Sequence, residues 1–436
     1  MMGECNNLYK RNSYLIKMSG DYEIKGCRSC QSENLVPIIS LGEQYVSNFV
    51  NPGENTGTRV PLELILCNGC NLLQLRHNAP DEEMWGEQYW HKSGINRLIR
   101  EDLGDIVSSS RQIAALKDDD LVIDIGCNDG TLLDLYDGNR IERVGFEPSK
   151  NVAREAQAKG IHVVNDFFNA EGFTGRFGSK KAKIITAISM FYDLDNPNRF
   201  LEDILSSLDE NGLFVIQQNY LVSMLEQNAF DNICHEHRAY YSLGALGNLL
   251  RRHGLEVFDA KLRDINGGSI RTYVRREGNP NLKPFEGAEK RLAQLEEKER
   301  QMGLDTPKPY EDFAGRIEDL KKQMLAFIEA EKKNGKTFGI CGASTRGNTT
   351  LQYFGLNTDH VIAAAEANPD KWGKRTVGSD IPIVSPDEMR KLNPDYQIVL
   401  IWHLFEGLME KEKEYMKSGG KFILPLPHFR IVEYSR

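Results

Sequence analysis

Residues 121–133 read Leu-Val-Ile-Asp-Ile-Gly-Cys-Asn-Asp-Gly-Thr-Leu-Leu, a short apolar run that meets a glycine-rich turn and continues into a helical pattern. An apolar run of this length, bounded by a turn, is typical of a fully buried strand. Similar runs follow at 143–146, 184–188 and 212–217, with helical spacing between them. Strands that alternate with helices predict a parallel sheet covered by helices, an α/β fold.

The length of 436 residues exceeds what one hydrophobic core supports, so two or three domains are expected. Residues 289–333 are rich in Glu, Lys, Leu and Ala, with a break only at 303–309, and predict a helical connector. Strand-like runs resume after it, which predicts a second α/β domain. We expect these boundaries: a cysteine-bearing module at 22–80, a central domain at 81–288, the connector at 289–335 and a C-terminal domain at 336–436. The first 20 residues are polar, and we expect them to be frayed.

Composition narrows the class of protein. A hydrophobic share of 40% and a charged share of 27% are ordinary for a globular chain. The net charge of −9 disfavours a nucleic-acid partner, because phosphate binding relies on clustered Lys and Arg. No apolar run approaches the roughly 18 residues of a membrane span, and residues 1–20 lack the apolar core of a signal peptide. We therefore expect a cytoplasmic protein with no membrane partner.

The cysteines suggest a metal site. Cys27 and Cys30 form one CxxC pair, and Cys67 and Cys70 form another. Such pairs in a large chain favour metal ligation, and four thiolates form the closed tetrahedral set of structural zinc. A redox-active CxxC and inert buried cysteines are the alternatives. A catalytic zinc is disfavoured because four thiolates leave no open position.

The glycine-rich turn predicts a cofactor site. Gly126 and Gly130 allow close approach of the backbone to a ligand. Glu147 lies 21 positions after Gly126, at the end of the next strand, where a carboxylate can accept both hydroxyls of a ribose. This layout suits an adenosine cofactor. The alternative is that the glycines merely turn a strand into a helix.

NAD is the rival cofactor, but its GxGxxG fingerprint is absent from this turn. Asp124, Asn128 and Asp129 would repel a pyrophosphate and suit the cationic methionine end of S-adenosylmethionine. The sequence DIGCNDG resembles the first motif of class I methyltransferases. Asp166 and Phe167, after the following strand, are candidates for an adenine contact.

Residues 230–242 contain the densest group of titratable side chains. To put a methyl group on a carbon next to a carbonyl, an enzyme must first remove a proton, and histidine is suited to this. If the segment is extended, His235 and His237 share one face and Glu236 points to the other; if it is helical, all three fan out. A metal pair and ordinary histidines bonded to the backbone are the alternatives.

These motifs together resemble those of sugar C-methyltransferases of deoxysugar pathways. The CxxC pairs, the DIGCNDG loop and the HEH-x-x-YYS segment match in order, followed by a C-terminal block that includes Gly-Ala-Ser-Thr-Arg-Gly-Asn-Thr at 342–349. The resemblance covers nearly everything from Tyr22 to Val432. It implies a zinc module, a class I, Rossmann-like S-adenosylmethionine domain and a C-terminal Rossmann-like domain that helps to hold a sugar nucleotide without using NAD.

The resemblance also implies residue roles. His237 corresponds to the base, Glu236 to a residue that orients it or handles protons, and Tyr89 to an active-site tyrosine. The run from Asn266 to Arg271 resembles the loop HGGSLR, with Asn where His is usual. Cys234 stands where a tyrosine is common.

The second glycine-rich turn, at 339–348, predicts a diphosphate contact through Arg346. A plain strand-to-helix turn is the alternative. The candidate substrate ligands are Asn266, Arg271, Arg346 and Asn348.

The function predicted from the sequence is methylation of a carbon of a nucleotide-linked 4-keto-deoxysugar. His237 takes a proton, and the resulting enolate attacks the methyl group of S-adenosylmethionine. The alternatives are an O-methyltransferase and a non-catalytic nucleotide-sugar-binding module. A dehydrogenase is disfavoured by the missing GxGxxG.

Overall fold

The computed structural model describes residues 22–54, 57–86, 88–136 and 140–434. The segment 1–20, predicted to be frayed, lies outside these ranges. In the described part of the chain, no helix combines the length and apolar character needed to cross a membrane.

The strands within those ranges are β1 Leu35–Tyr45, β2 Phe49–Val50, β3 Arg59–Cys67, β4 Leu73–Leu75, β5 Leu121–Ile125, β6 Glu142–Phe146, β7 His162–Val164, β8 Ala182–Ile188, β9 Leu208–Asn219, β10 Ala239–Tyr240, β11 Leu255–Arg263, β12 Ser269–Arg276, β13 Phe338–Cys341, β14 Ala364–Ala365, β15 Arg375–Thr376, β16 Ile383–Val384, β17 Tyr396–Val399, β18 Lys421–Leu424 and β19 Arg430–Val432. The α-helices are α1 Asp81–Met84, α2 Arg97–Ala114, α3 Thr131–Asp134, α4 Lys150–Ala158, α5 Ala170–Phe177, α6 Pro197–Ser207, α7 Leu221–Glu226, α8 Leu243–Arg251, α9 Ala288–Met302, α10 Lys308–Lys333, α11 Thr345–Phe354, α12 Pro386–Leu392, α13 Phe405–Lys411 and α14 Lys413–Lys417.

The central sheet has the order β11-β12-β9-β8-β5-β6-β7. Strand β5 pairs in parallel with β6 and β8, and all five of its residues are buried. This confirms the predicted α/β fold, because a strand covered on both faces reads as a continuous apolar run. The pair β11 and β12 extends one edge in the antiparallel direction, which the sequence analysis did not predict.

The N-terminal module contains a second sheet, with the order β1-β3-β4-β10. Its last strand, β10, comes from the 230–242 segment, and Ala239 and Tyr240 pair with Gln74 and Leu73. The proposed catalytic segment is therefore attached directly to the cysteine-bearing module.

The C-terminal domain forms a third sheet, with the order β16-β14-β13-β17-β18-β19. All its pairings are parallel except that of β18 with β19. The two-residue ladder between β2 and β15 joins the N-terminal module to this domain. The predicted helical connector is present as α9 and α10, separated near Gly303, which has a positive φ of 67°.

Candidate active site and zinc cluster

The four predicted metal ligands, Cys27, Cys30, Cys67 and Cys70, come together. Their sulfur atoms all lie within 4.8 Å of one another, and Sγ–Sγ distances of 3.5 Å join Cys27 to Cys70 and Cys30 to Cys67. Four sulfurs around zinc stand about 3.8 Å apart when each Zn–S bond is about 2.3 Å. The hydrogen bond that Cys27 shares with Cys70 lowers the pKa of Cys27 to about 5, which favours the thiolate that binds metal, and raises the pKa of Cys70. The cluster fits a structural zinc ion.

The first CxxC turn also docks onto the central domain. Arg28 is 3% exposed, and its guanidinium donates to Leu75 O at 2.6 Å and to Asp195 at 3.3 Å. Asn198 donates back to Arg28 O at 2.9 Å. Asp195 lies in the loop that follows β8, and Asn198 lies at the start of α6. The first CxxC turn therefore helps to position that loop.

The predicted ribose ligand, Glu147, lies directly after β6 and is 5% exposed. Its Oε2 accepts the N–H of Asn128 at 2.9 Å, and its Oε1 accepts the N–H of Ser149 at 2.8 Å. A carboxylate has about four lone-pair positions, so acceptor capacity remains for two ribose hydroxyls. Gly126, on the facing turn, has a φ of 70°, and a Cβ there would lie 3.3 Å from Met190. The pair fits an adenosine group.

Two other cofactor candidates hold the preceding segment in place. Ser93 donates its N–H to Asn128 Oδ1 at 3.0 Å, and Gly94 donates to Asp129 Oδ2 at 2.8 Å. These side chains therefore connect the cofactor turn to the segment that carries Tyr89. Contact of Asn128 and Asp129 with the methionine end of the cofactor stays a prediction.

The remaining cofactor candidates differ in exposure. Asp124 is buried in β5 and accepts the hydroxyl of Thr186 at 2.6 Å, and burial raises its pKa to about 7. Asp166 and Phe167 follow β7, and Phe167 is 51% exposed. An exposed ring beside the sheet edge leaves room for an adenine to stack, and this contact also stays a prediction.

The histidine segment forms a turn, which neither the extended nor the helical alternative anticipated. His237 donates its N–H to Cys234 O at 3.1 Å, which closes the turn around His235 and Glu236. His235 points to the N-terminal module, where its Nε2 bonds Val60 O at 2.9 Å. This contact ties the segment to β3.

His237 has the geometry of a base. Its Nδ1 lies 2.9 Å from Asn232 O, and because a carbonyl only accepts, Nδ1 carries the proton. The other nitrogen, Nε2, then has its lone pair available. Burial, and secondarily the charge of Arg346, lowers the pKa of His237 to about 3, so the ring is neutral at physiological pH.

A small cavity of about 10 Å³ lies beside His237, with room for about one water molecule. Its wall includes Tyr192, whose ring meets the His237 ring edge-on with centroids 4.5 Å apart, and Tyr220. Tyr192 is a functional candidate that the sequence analysis missed. Its position just after the carboxyl end of β8, where α/β sheets bind ligands, is the signal that points to it.

Glu236 and Tyr89 lie near the same centre. Burial raises the pKa of Glu236 to about 7, although the charge of Lys371 acts in the opposite direction. Burial, followed by the charge of Glu236, raises the pKa of Tyr89 well above its usual value. A carboxylate oxygen of Glu236 and a ring nitrogen of His237 thus lie within 4.8 Å of each other, whereas His235 faces the N-terminal module. Tyr89 interacts electrostatically with Glu236, and its contact with a substrate stays a prediction.

The C-terminal candidates meet the central domain at a polar junction. Arg346, the second residue of α11, donates to Asn266 O at 2.8 Å and to Asp231 Oδ2 at 2.7 Å. Trp402 donates to the same Asp231 oxygen at 3.2 Å. Asn348 is 1% exposed, and its Oδ1 has no hydrogen-bond partner in the described part of the chain.

Comparison with known proteins supports the family that the motifs predict. The chain is 29% identical over 426 residues to the C-methyltransferase NovU of Streptomyces niveus. The aligned region covers 94% of this chain and 97% of that protein. Residues 264–427 match the family described as the C-methyltransferase C-terminal domain. The chain resembles C-methyltransferases over nearly its whole length. This confirms the family inferred from the sequence motifs.

The other parts of this C-methyltransferase match known domains too. Residues 95–260 match a methyltransferase domain, and residues 27–85 match a zinc-binding domain. The enzyme therefore transfers a methyl group from S-adenosylmethionine and has a zinc-binding N-terminal module, as predicted.

Two solved structures are similar to about two fifths of the chain. An S-adenosylmethionine-dependent methyltransferase from Clostridium acetobutylicum is 13% identical, with a TM-score of 0.33 over 41% of this chain and 92% of that chain. The magnesium protoporphyrin IX methyltransferase of Synechocystis is 14% identical, with a TM-score of 0.31 over 41% of this chain and 79% of that chain.

One substrate candidate of the C-methyltransferase is enclosed. Arg271 lies on β12 with none of its surface exposed. Its guanidinium pairs with Asp102 at 3.0 Å and with Asp105 at 2.6 Å, both on α2. These ion pairs neutralise its charge. Contact with a substrate stays a prediction for Arg271.

Proposed function

We propose that this C-methyltransferase methylates the carbon next to the keto group of a nucleotide-linked 4-keto-deoxysugar. His237 is the base. The observation that carries the proposal is the hydrogen bond from His237 Nδ1 to Asn232 O, which leaves Nε2 unprotonated in a residue that lines a cavity. Resemblance to C-methyltransferases supports the choice of a carbon acceptor.

In the proposed reaction, His237 Nε2 takes the α-proton of the keto-sugar, which leaves an enolate. The Nδ1–H bond to Asn232 O strengthens as the ring becomes positive, because charge-assisted hydrogen bonds are stronger than neutral ones. Glu236, when ionised, stabilises the same positive charge from within 4.8 Å. The Tyr89 hydroxyl donates a hydrogen bond to the enolate oxygen and keeps its proton, in the manner of an oxyanion hole.

The cofactor contacts come from the central sheet. Glu147 accepts the ribose hydroxyls, Gly126 allows close approach of the chain, and Phe167 stacks on the adenine. When bound, S-adenosylmethionine supplies an electrophilic methyl group. Positioning of the two ligands supplies most of the rate acceleration.

The nucleotide part of the substrate lies toward the C-terminal domain. Arg346 and Asn348 stand in the first turn of α11, a ten-residue helix whose N-cap is Ser344. A helix N-terminus has free N–H groups and a positive dipole end, both of which favour a diphosphate. The unpartnered Oδ1 of Asn348 is an acceptor, so it suits a hydroxyl of the nucleotide sugar rather than the diphosphate, and Asn266 lies beside Arg346 at the same junction.

Solvent exchange tests the base directly. The zinc-loaded enzyme is incubated in deuterated water with a dTDP-, CDP- or GDP-linked 4-keto-deoxysugar, without S-adenosylmethionine, and loss of the α-proton is followed by NMR. We expect exchange by the wild type and a fall of about 100-fold or more in His237→Ala. His162→Ala, which removes an exposed histidine on β7, is the matched control and should exchange normally. Undiminished exchange in His237→Ala contradicts the proposal.

The methylated product distinguishes carbon from oxygen as the acceptor. Mass spectrometry and NMR of the product with isotopically labelled cofactor should show the label bonded to a ring carbon. A label on a hydroxyl oxygen would make the enzyme an O-methyltransferase. If calorimetry detects no binding of S-adenosylmethionine by the folded protein, any methyltransferase function is excluded.

A further inference from the structure

Three side chains of the 234–237 turn stand together as metal ligands do. A sulfur of Cys234, a carboxylate oxygen of Glu236 and a ring nitrogen of His237 all lie within 4.8 Å of one another. These residues are 1%, 8% and 7% exposed. Sulfur, oxygen and nitrogen are the ligand atoms that zinc takes in proteins, and three protein ligands leave its fourth position open.

The orientation of His237 suits a metal. Histidines that bind a metal almost always donate their other N–H to a carbonyl or a carboxylate, which fixes the ring. The bond from Nδ1 to Asn232 O does this at 2.9 Å, and it leaves Nε2 as the available ligand atom. His237 also lines a cavity of about 10 Å³, which has room for about one water-sized ligand.

The charges around the turn are compatible with a cation. Asp193 lies close enough to Glu236 for the two charges to interact, and its Oδ1 is buried without a partner among the described residues. A buried, unpaired carboxylate oxygen is unfavourable, and a cation or its bound water would relieve it. The nearby positive groups are paired: Arg346 lies 2.7 Å from Asp231, and Lys371 lies 3.4 Å from Glu366.

We propose that Cys234, Glu236 and His237 bind a second zinc ion, separate from the cysteine cluster, and that this ion inhibits the enzyme. Binding releases the thiol proton of Cys234 to solvent and leaves a thiolate ligand, with no change of oxidation state. The ion occupies Nε2 of His237. The binding stands on the geometry alone, whereas the inhibition rests on the proposed role of His237 as base.

Metal counting tests the site. The full-length enzyme is incubated with excess Zn²⁺, freed of unbound metal by gel filtration and analysed by mass spectrometry of the elements. We expect about two zinc ions per chain for the wild type and about one for Cys234→Ser. Cys341→Ser, which changes a buried cysteine in β13, is the matched control and should keep about two.

The zinc count decides whether the second site exists. About one zinc in the wild type, or about two in Cys234→Ser, overturns the proposed site. If circular dichroism shows that Cys234→Ser is unfolded, Cys234→Ala replaces it, and the wild-type count decides independently of both variants. Far-ultraviolet spectra and retention of one zinc confirm that a variant keeps the N-terminal module.

Inhibition is measured on the wild type by the exchange reaction. Added Zn²⁺ should suppress exchange by about ten-fold or more, and a weak chelator that leaves the cysteine cluster loaded should restore it. Two bound ions with unchanged exchange overturn the inhibition but not the site. No exchange at one zinc per chain counts against the proposed function and leaves the metal count untouched.

Discussion

Replacement of Gly130 by alanine tests how tightly the cofactor turn is packed. Gly130 has a φ of 75°, and an added Cβ would lie 2.5 Å from Ile161 Cδ1 and 2.8 Å from Ala156 Cβ. The left-handed conformation costs an alanine about 1–2 kcal/mol, and overpacking costs about 1–3 kcal/mol more. We expect Gly130→Ala to lose about 2–5 kcal/mol of stability in the central domain.

Gly160→Ala is the matched control, because it separates backbone strain from steric overlap. Gly160 has a φ of 78°, and an added Cβ would meet no atom of the described residues within 4 Å. This variant should therefore lose only about 1–2 kcal/mol. The difference of about 1–3 kcal/mol corresponds to a melting temperature about 2–12 °C lower for Gly130→Ala than for Gly160→Ala.

Thermal unfolding followed by circular dichroism measures this difference, and calorimetry measures S-adenosylmethionine affinity in parallel. We expect weaker cofactor binding in Gly130→Ala alone, since the overlap would move the turn that carries Gly126 and Asn128. Equal melting temperatures and equal affinities for the two variants would refute the assignment of Gly130 to a close approach between the turn and α4.

Three further predictions follow from the site. Both oxygens of Glu147 accept backbone N–H groups, so Glu147→Gln would place an NH₂ group against an N–H group. Calorimetry should show S-adenosylmethionine binding weakened by about 5- to 150-fold, or about 1–3 kcal/mol, whereas the variant Glu171→Gln, at an exposed position, should bind normally. Burial raises the pKa of Glu236 to about 7, so its carboxyl group ionises as the pH rises through 7. The exchange rate should rise over the same pH range in the wild type but not in Glu236→Gln. If the variant keeps the same pH profile, another group is responsible for the rise. His235 bonds Val60 in the zinc-binding module, so Cys67→Ser should lower zinc content and exchange activity together. Full exchange activity after loss of zinc would show that the module does not position the histidine turn.

The elements that could be predicted from the sequence are those determined by residues close together in the chain. Strands β5, β6 and β8 are short apolar runs between turns, and each was placed within about two residues. The break between α9 and α10 was visible because glycine and proline interrupt a strongly helical pattern. The four candidate zinc ligands could also be predicted from the sequence, because CxxC spacing indicates which sulfurs can share an ion.

Other features depend on partners that lie far away in the chain. Strand β10 has only two residues, and it exists because β4, more than 160 positions earlier, offers it an edge. The turn at His235 and Glu236 could not be distinguished from a helix or a strand by spacing, because the bond from His235 to Val60 O crosses 175 positions. Tyr192 was missed because an aromatic residue after a strand resembles an ordinary core residue.

The pairing of β10 with β4 also bears on how the polypeptide is made and how it can be divided. As the chain leaves the ribosome, the edge of β4 stays open until residue 240 has emerged, so the N-terminal sheet is completed only after most of the methyltransferase domain has been synthesised. A fragment that ends at residue 80 would keep that open edge, and exposed strand edges promote aggregation. Exchange of the N-terminal module between related enzymes would therefore have to include the strand at 239–240.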